Sequence, residues 1–447
     1  MFTRIMLLKI LFYLMIVCVF ASCKNNKNYQ SNFTNPKLLI QTVKKLNDVV
    51  LDNNFPPPIA SRNYAYANIA AYETFCGGNK NYKSLAGQIK SLSVLPKPDS
   101  TKTYDFNFAA LISLCNVGNA VTFPAGSLDS YVAELTHLAD STGMPSDVLE
   151  NSLAYADTVS KVVLKWSKKD NYLQSRSMPA YTVTNNDGTW IPTPAAYATA
   201  VEPHWGQIRT MVLDSSRQFL PPPPYQFDVK NKNSAYYLEV QKLIDASKKL
   251  TDEQKHIALF WDDNPFKLNV YGHAMFSTKK FSPPGHWMNI CGIASMQAKA
   301  DFGTTLTGYT KTAIALFDGF VSCWQAKYAY NTARPETVIN KYFDKNWLPY
   351  IQTPPFPEYS AGHPTISAAA AEALTSVYGD NFAFTDTSEE PFGIKKRAFT
   401  SFRQAASENI DARFYGLIHF EYSCIIGNAS GKQIGNLVVS KLQMKIK

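Results

Sequence analysis

The stretch PPFPEYSAGHPTISAAAAEA, residues 354–373, leaves the backbone few paths. Proline fixes φ and biases the residue before it toward extended geometry, so the approach is not helical. Gly362 lets the backbone come close to an anion, and Pro364 suits a first helical turn. The alanine-rich run behind them is a strong helix former. The chain is therefore expected to enter a helix at residues 362–364, with free amides and the positive end of the helix dipole at its mouth. His363 sits at that mouth. Such a turn is either an anion site or a capped helix with an incidental histidine, and this segment alone leaves both readings open.

Most of the remaining chain has apolar residues at helical spacing. Residues 36–50 carry it, and the prolines at 56–58 stop that helix. Further helices are predicted at 62–75, 106–121, 127–140 and 146–168, then at 234–249, 310–330, 366–378 and 396–408, with a final long one ending at 440. Thr251-Asp-Glu-Gln254 has the form of a capping box, and FSPPGHWMNI opens another helix. Residues 171–229 are irregular, with Pro221–Pro224 near their end, a length typical of binding loops or connectors. Strand alternation is scarce and no repeat is visible. The prediction is an all-α fold of two packed helical bundles, 36–230 and 231–447, with long irregular connecting loops. At 447 residues and 45% hydrophobic, the chain can bury so large a core.

Arg4 and Lys9 precede an apolar run from Ile10 to Phe20, short for a membrane span and suited to a signal peptide. It ends in FASC, which resembles a bacterial lipobox. That resemblance implies a signal peptide over 1–22, lipid on Cys23 and a polar tether over 23–35. The protein would be exported and membrane-anchored, facing periplasm or cell surface, and would touch the membrane through that lipid alone. The five cysteines beyond Cys23 lack paired spacing, so neither a disulfide framework nor a zinc pattern is expected. Lys+Arg 44 against Asp+Glu 35 gives +9, and the basic residues are scattered, which argues against nucleic acid. A few cations gathered on a small oxyanion would use the excess equally well.

Lys327 and Arg334 lie seven apart in WQAKYAYNTARPETVI, two helical turns, so both project from one face with Trp324. Pro335 takes Arg334 out of regular helix. Alone, the two cations read as a snorkelling surface pair. In DARFYGLIHFEYSC, Arg413 is expected at a helix start, reaching round to His419 inside that helix.

Taken in order, Lys327-x6-Arg334-Pro335, Ser360-Ala-Gly-His363 and Arg413-x5-His419 resemble a known signature. It belongs to the superfamily of vanadium-dependent haloperoxidases and type 2 phosphatidic-acid phosphatases: Lys-x6-Arg-Pro, Pro-Ser-Gly-His and Ser-Arg-x5-His. PPFPEY, PPGHW at 283–287 and FWDDNP at 260–265 are similar to the bacterial haloperoxidase branch. The resemblance implies that Lys327, Arg334, Arg413 and the Gly362 amide hold the oxygens of vanadate, or of phosphate in a phosphatase. It makes His363 the acid–base residue and His419 the residue bonded to vanadium, or attacking phosphorus. Trp324 and Phe356 fall where aromatics flank a halide, and either Asp262 or Asp263 orients Lys327 and Arg413. The implied reaction is oxidation of bromide or iodide by hydrogen peroxide to hypohalous acid, at a vanadate cofactor and with a small organic acceptor. The alternatives are a histidine-based acid phosphatase acting on phosphate esters and a non-catalytic oxyanion-binding lipoprotein. The oligomeric state stays open.

Three positions depart from the signature. Ala361 stands at the family's serine, with Ser360 one place early and able to compensate through a small backbone shift. A hydroxyl bond to a charged group is worth about 1.5–3 kcal/mol, so the change weakens the site without abolishing it. Ala412 replaces the serine before Arg413. Ser423 stands where many relatives have aspartate, which predicts a less basic and less rigid His419. Every cation and both histidines are retained, and a working oxyanion site is expected. His286 and His204 are expected to cap or pack, and Trp190 to shape a channel mouth.

Overall fold

The computed structural model describes residues 28–446 except 185, 195, 266, 272 and 273, without the side chains of 28 and 266–278. The predicted signal peptide, Cys23 and His273 lie outside the described residues. The first half carries α1 (Asn28–Thr34), α2 (Pro36–Asp52), α3 (Pro57–Gly78), α4 (Phe106–Val121), α5 (Asp129–Ser141), α6 (Ser146–Ser167) and the single turn α7 (Tyr172–Ser175). After the irregular stretch come α8 (Ala235–Ser247), α9 (Asp252–Phe260), α10 (Pro283–Gln297), α11 (Phe302–Tyr330) and α12 (Pro335–Tyr342). The chain closes with α13 (Gly362–Tyr378), α14 (Phe402–Tyr415) and α15 (Glu421–Lys441). Two small antiparallel pairs, β1 (Lys267–Tyr271) with β2 (Ala274–Thr278) and β3 (Phe384–Asp386) with β4 (Arg397–Phe399), complete it.

The two bundles are there. One is α3, α4 and α6, and the other is α11 with α13, α14 and α15; α3 laid along α11 joins them. One buried cluster runs through both, from Phe33 to Met444. Several boundaries differ from expectation, and α11 begins eight residues earlier than predicted, at Phe302. The prolines at 57 and 58 begin α3 rather than merely ending α2, because a missing amide costs nothing at the first helical position. Residues 28–34, assigned to the tether, form α1, because Phe33 is apolar and buries its ring against Phe108 at 5.1 Å. α14 begins six residues later than predicted, since 397–399 pair as β4.

Helix α11 is the axis of the site half. It is buried along nearly its whole length, and Asp318 in its middle accepts from the Met211, Val212 and Leu213 amides at 2.7, 2.7 and 3.0 Å. That buried carboxylate fastens the irregular 171–229 segment to the helix. Further on, the Val201 carbonyl accepts from Trp324 and Tyr328, roofing the face that carries Lys327. On α15, glycines recur every fourth residue at 427, 431 and 435. A Cβ at Gly431 would come within 2.0 Å of the Thr365 carbonyl oxygen, so only glycine lets α15 lie this close to α13. The contact sets the mouth of α13 beside the start of α15. No helix among the described residues is long and apolar enough to cross a membrane.

Candidate functional site

Four chain breaks converge at one point. The first lies between α11 and α12. Asn331 ends α11 in left-handed geometry, and Pro335 starts α12, leaving Arg334 extended between them. The second is the proline-rich loop 354–360, tied to this break by the Glu358 and Tyr359 amides, which donate to Thr332 at 3.0 and 2.9 Å. The third is the mouth of α13. The fourth is the turn from α14 to α15, where Gly416 and left-handed Leu417 stop the helix. A second, smaller apolar cluster, including Phe414, Leu417 and Phe420, buries that turn against α8 and α12.

Lys327 and Arg334 are fully buried and grip the proline-rich loop. Lys327 Nζ donates to the Pro357 and Glu358 carbonyls, each at 2.9 Å, and Arg334 Nε donates to the Phe356 carbonyl at 2.8 Å. The Phe356 ring lies under both cations, 5.1 Å from Lys327 Nζ and 4.9 Å from Arg334 Cζ, and packs on Trp324 at 5.0 Å. The snorkelling pair is excluded by this burial.

Arg413 and His419 correct the expectation drawn for them. Arg413 lies in the last turn of α14, not at a helix start, and His419 lies in the following turn, not inside a helix. Their spacing of six spans a helix break, which is why both reach one point. Arg334 Nη1 donates to His419 Nε2 at 3.0 Å, and His419 Nδ1 donates to Glu358 Oε1 at 2.8 Å. This pair of partners fixes the tautomer: the proton is on Nδ1 and the lone pair on Nε2.

Glu358 was not among the residues singled out by sequence. It supplies the carboxylate that Ser423 lacks, so the predicted loosening of His419 does not occur. Its Oε1 also accepts from the Phe420 amide at 3.3 Å, while its Oε2 and the Ser423 hydroxyl are buried with no hydrogen-bond partner among the described residues. The only signal in the sequence was a lone acid inside a proline-rich run, five residues before His363.

Asp262 and Asp263 also depart from their predicted role, because neither holds Lys327. Arg413 Nη1 donates to the Trp261 carbonyl at 2.5 Å and lies 3.5 Å from the Asp262 carbonyl. The Asp262 side chain faces Lys280 at 3.6 Å, and Asp263 turns to His286 and His363. Lys327 has no need of a carboxylate, having two main-chain carbonyls. Ser360 is buried with its hydroxyl 4.0 Å from the Cys323 sulfur. His204 and Trp190 line a separate cleft of about 420 Å³ that contains none of the residues above.

Electrostatically the centre is cationic and dry. Burial pushes His419 and His363 well below an ordinary histidine, and the neighbouring guanidinium and ammonium groups push them further. Both rings are therefore neutral near pH 7. Burial also lowers Lys327 and Arg334, and it raises Glu358 while those two cations pull it back. Arg334 Nη2, Arg413 Nε and His363 Nε2 are buried with no hydrogen-bond partner among the described residues. A Cβ on Gly362 would stand 3.6 Å from Trp324 and 3.8 Å from Lys327 Cε, so its open side faces the same centre. Unpaired buried donors are costly, and those of Arg334 and Arg413 fit a small oxyanion that accepts from both.

His363, Arg413, Phe356, Asp262 and Asp263 line a small cavity of about 30 Å³, room for little more than a water-sized group. It shares Asn264, Pro265 and Gln352 with a wider, largely apolar cleft of about 390 Å³. That cleft is the approach to His363.

A family model for the VCPO second helical-bundle domain matches residues 308–447. The fold is similar to the crystal structure of a bacterial vanadium-dependent iodoperoxidase. The two share 40% identity and a TM-score of 0.87, over 92% of this chain and 98% of that one. Holo and apo structures of bacterial vanadium-dependent chloroperoxidases are similar in fold. Identities are 16% and 18% and TM-scores 0.66 and 0.65, over 87% of this chain and 93% and 94% of theirs. No curated protein sequence matches the chain.

Proposed function

We propose, from the premise that the chain belongs to the vanadium-dependent haloperoxidase family, that it oxidises iodide or bromide with hydrogen peroxide at a vanadate held by His419. The family relation is carried by the 40% identity to the iodoperoxidase over almost its entire length. One observation supports the site above all: His419 has Nδ1 clamped by Glu358 and its Nε2 lone pair accepting from Arg334, beside Lys327 and Arg413. In this reading Lys327, Arg334, Arg413 and the Gly362 amide donate to the vanadate oxygens, and Arg334 Nη1 releases His419 Nε2 to do so.

Bound vanadate supplies a Lewis acid that activates peroxide without changing oxidation state. The protein's own residues do the rest. His363 is neutral, and its free Nε2 takes a proton from the incoming peroxide and returns it to the oxygen that leaves as water. The balance is H2O2 + X⁻ + H⁺ giving HOX + H2O. Trp324 and Phe356 wall the cations with apolar surface, which favours a weakly hydrated halide over a strongly hydrated one. The wider cleft admits peroxide, halide and a small organic acceptor.

Purified protein supplied with orthovanadate, peroxide and iodide is expected to form triiodide, and with bromide to brominate a phenolsulfonphthalein dye. Absence of vanadate-dependent oxidation of any halide would sink the proposal.

Vanadate affinity should also fall as pH rises. Burial holds free Lys327 down at about 7, and a bound oxyanion raises it. Its contribution is therefore complete below the free value and is lost as pH climbs through the higher bound value. Lys327→Met should remove this component. Vanadate's own ionisation acts equally on both proteins, so the difference between their Kd–pH curves isolates the lysine. Parallel curves would exclude it as an oxygen-holding cation.

A further inference from the structure

Behind His363 lies a buried group of side chains that the proposed reaction does not yet use. His286, near the start of α10, is 0% exposed and stacks on Trp261 at 4.7 Å. Its Nδ1 meets Asp263 Oδ1 at 2.9 Å, and its Nε2 meets Asp386 Oδ2 at 2.8 Å. A ring with a carboxylate at each nitrogen donates to both only as an imidazolium. Burial opposes that charge, but Asp263 and Asp386 outweigh it and hold His286 well above an ordinary histidine. Asp386 is itself fixed at the end of β3, where its other oxygen accepts from the Ser388 amide at 2.9 Å.

The second oxygen of Asp263 faces the site, with Oδ2 3.9 Å from His363 Nε2. That distance is too long for a hydrogen bond in the resting state. The other charged groups nearby are Glu389, 3.9 Å from His286 Nδ1, the Lys280–Asp262 pair at 3.6 Å, and Arg413, Lys327 and Arg334, which together with His286 oppose a charge on His363. Glu389 is 0% exposed, neither of its oxygens has a hydrogen-bond partner among the described residues, and burial pushes it above an ordinary carboxyl.

We propose that His286 is a positioning residue for the reaction: clamped by Asp386, it fixes the Asp263 carboxylate facing His363 and so sets where that acid–base residue finds its acceptor. The inference rests on the haloperoxidase reading and adds a run of three residues, Asp386, His286 and Asp263, feeding one catalytic atom. Asp263, His286 and Glu389 also present donor atoms within 4.8 Å of one another, a spacing a divalent metal ion can use. Such an ion would displace the Nδ1 proton, and it is the competing outcome.

The experiment compares wild type, His286→Gln, His363→Ala and the double variant in vanadate-loaded protein, reading triiodide formation. His286→Gln is expected to lower kcat roughly tenfold, below the usual range for removing an acid–base group outright. KM for iodide and Kd for vanadate should stay near wild type. In the His363→Ala background the same substitution should do nothing further. Additive losses, or a loss confined to KM, would overturn the proposal, as would one equivalent of divalent metal in the active protein by elemental analysis. If His286→Gln does not fold, Asp386→Asn, which keeps an acceptor for Nε2, carries the same cycle. An inactive wild type would instead remove the haloperoxidase reading itself.

Discussion

His419→Ala is expected to eliminate measurable vanadate binding and, with it, halide oxidation, a loss on the order of 10³-fold or more, as when a residue acting directly at the reacting centre is removed. No other group in the centre has a lone pair clamped in place as His419 Nε2 is through Glu358. Arg334 and Arg413 carry protons on every polar atom, Lys327 already donates to two carbonyls, and His363 has its own task. The fold should survive. His419 occupies a turn whose burial comes from Phe414, Leu417 and Phe420 in the smaller apolar cluster. Circular dichroism and the thermal midpoint of the variant should therefore stay close to wild type, while titration calorimetry with orthovanadate goes flat. The variant should leave Arg334 Nη1 and the Glu358 carboxylate facing a void, so residual phosphate or vanadate binding through the cations alone, if present, should be weak and fast. An unchanged vanadate affinity would contradict His419 as the residue bonded to the metal.

The sequence reading went furthest where chemistry is local. α4 has the boundaries that apolar spacing predicted, and Thr251 and Gln254 form the capping box their order implied. Pro335 does take Arg334 out of the helix, and Lys327 does face the same point from the last turn of α11. Both are consequences of period and of proline geometry, which a single segment carries within itself. What stayed hidden was long-range. His419 finds its carboxylate 61 residues earlier, and His286 finds Asp386 100 residues later, so no spacing rule connects them. Arg413 and His419 misled for a different reason. The run DARFYGLIHFEY has no proline, and Gly416 alone understated the turn that left-handed Leu417 completes. FWDDNP points to an acid for Lys327 and Arg413, and Ser423 to a missing one for His419, whereas the acid beside His419 is a single glutamate in PPFPEY.

Glu358 therefore carries the second large prediction. Glu358→Ala should weaken vanadate binding about 100-fold and Glu358→Gln about tenfold, the range seen when the group orienting a metal-binding histidine is lost. The glutamine keeps an acceptor for His419 Nδ1 and loses only charge, whereas alanine leaves a buried Nδ1–H unpaired and the ring free to turn. Two effects of opposite sign compete here. Removing a negative charge beside an anion site favours the anion by simple Coulomb attraction. Against that, Glu358 supports the protonated forms of Lys327 and Arg334 and raises the basicity of His419 through the 2.8 Å bond. The second set wins if orientation and protonation matter more than net charge, and a tighter Kd in either variant would reverse that ranking. Position 423 lies in the first turn of α15, four residues after His419. Glu358→Ala combined with Ser423→Asp should then recover about tenfold of the lost affinity by supplying an acid from α15 to the same ring nitrogen. Recovery would establish that this chain has moved its orienting carboxylate from one helix start to a neighbouring loop. No recovery, with the double variant folded, would mean that Glu358 acts on Lys327 and Arg334 rather than on His419.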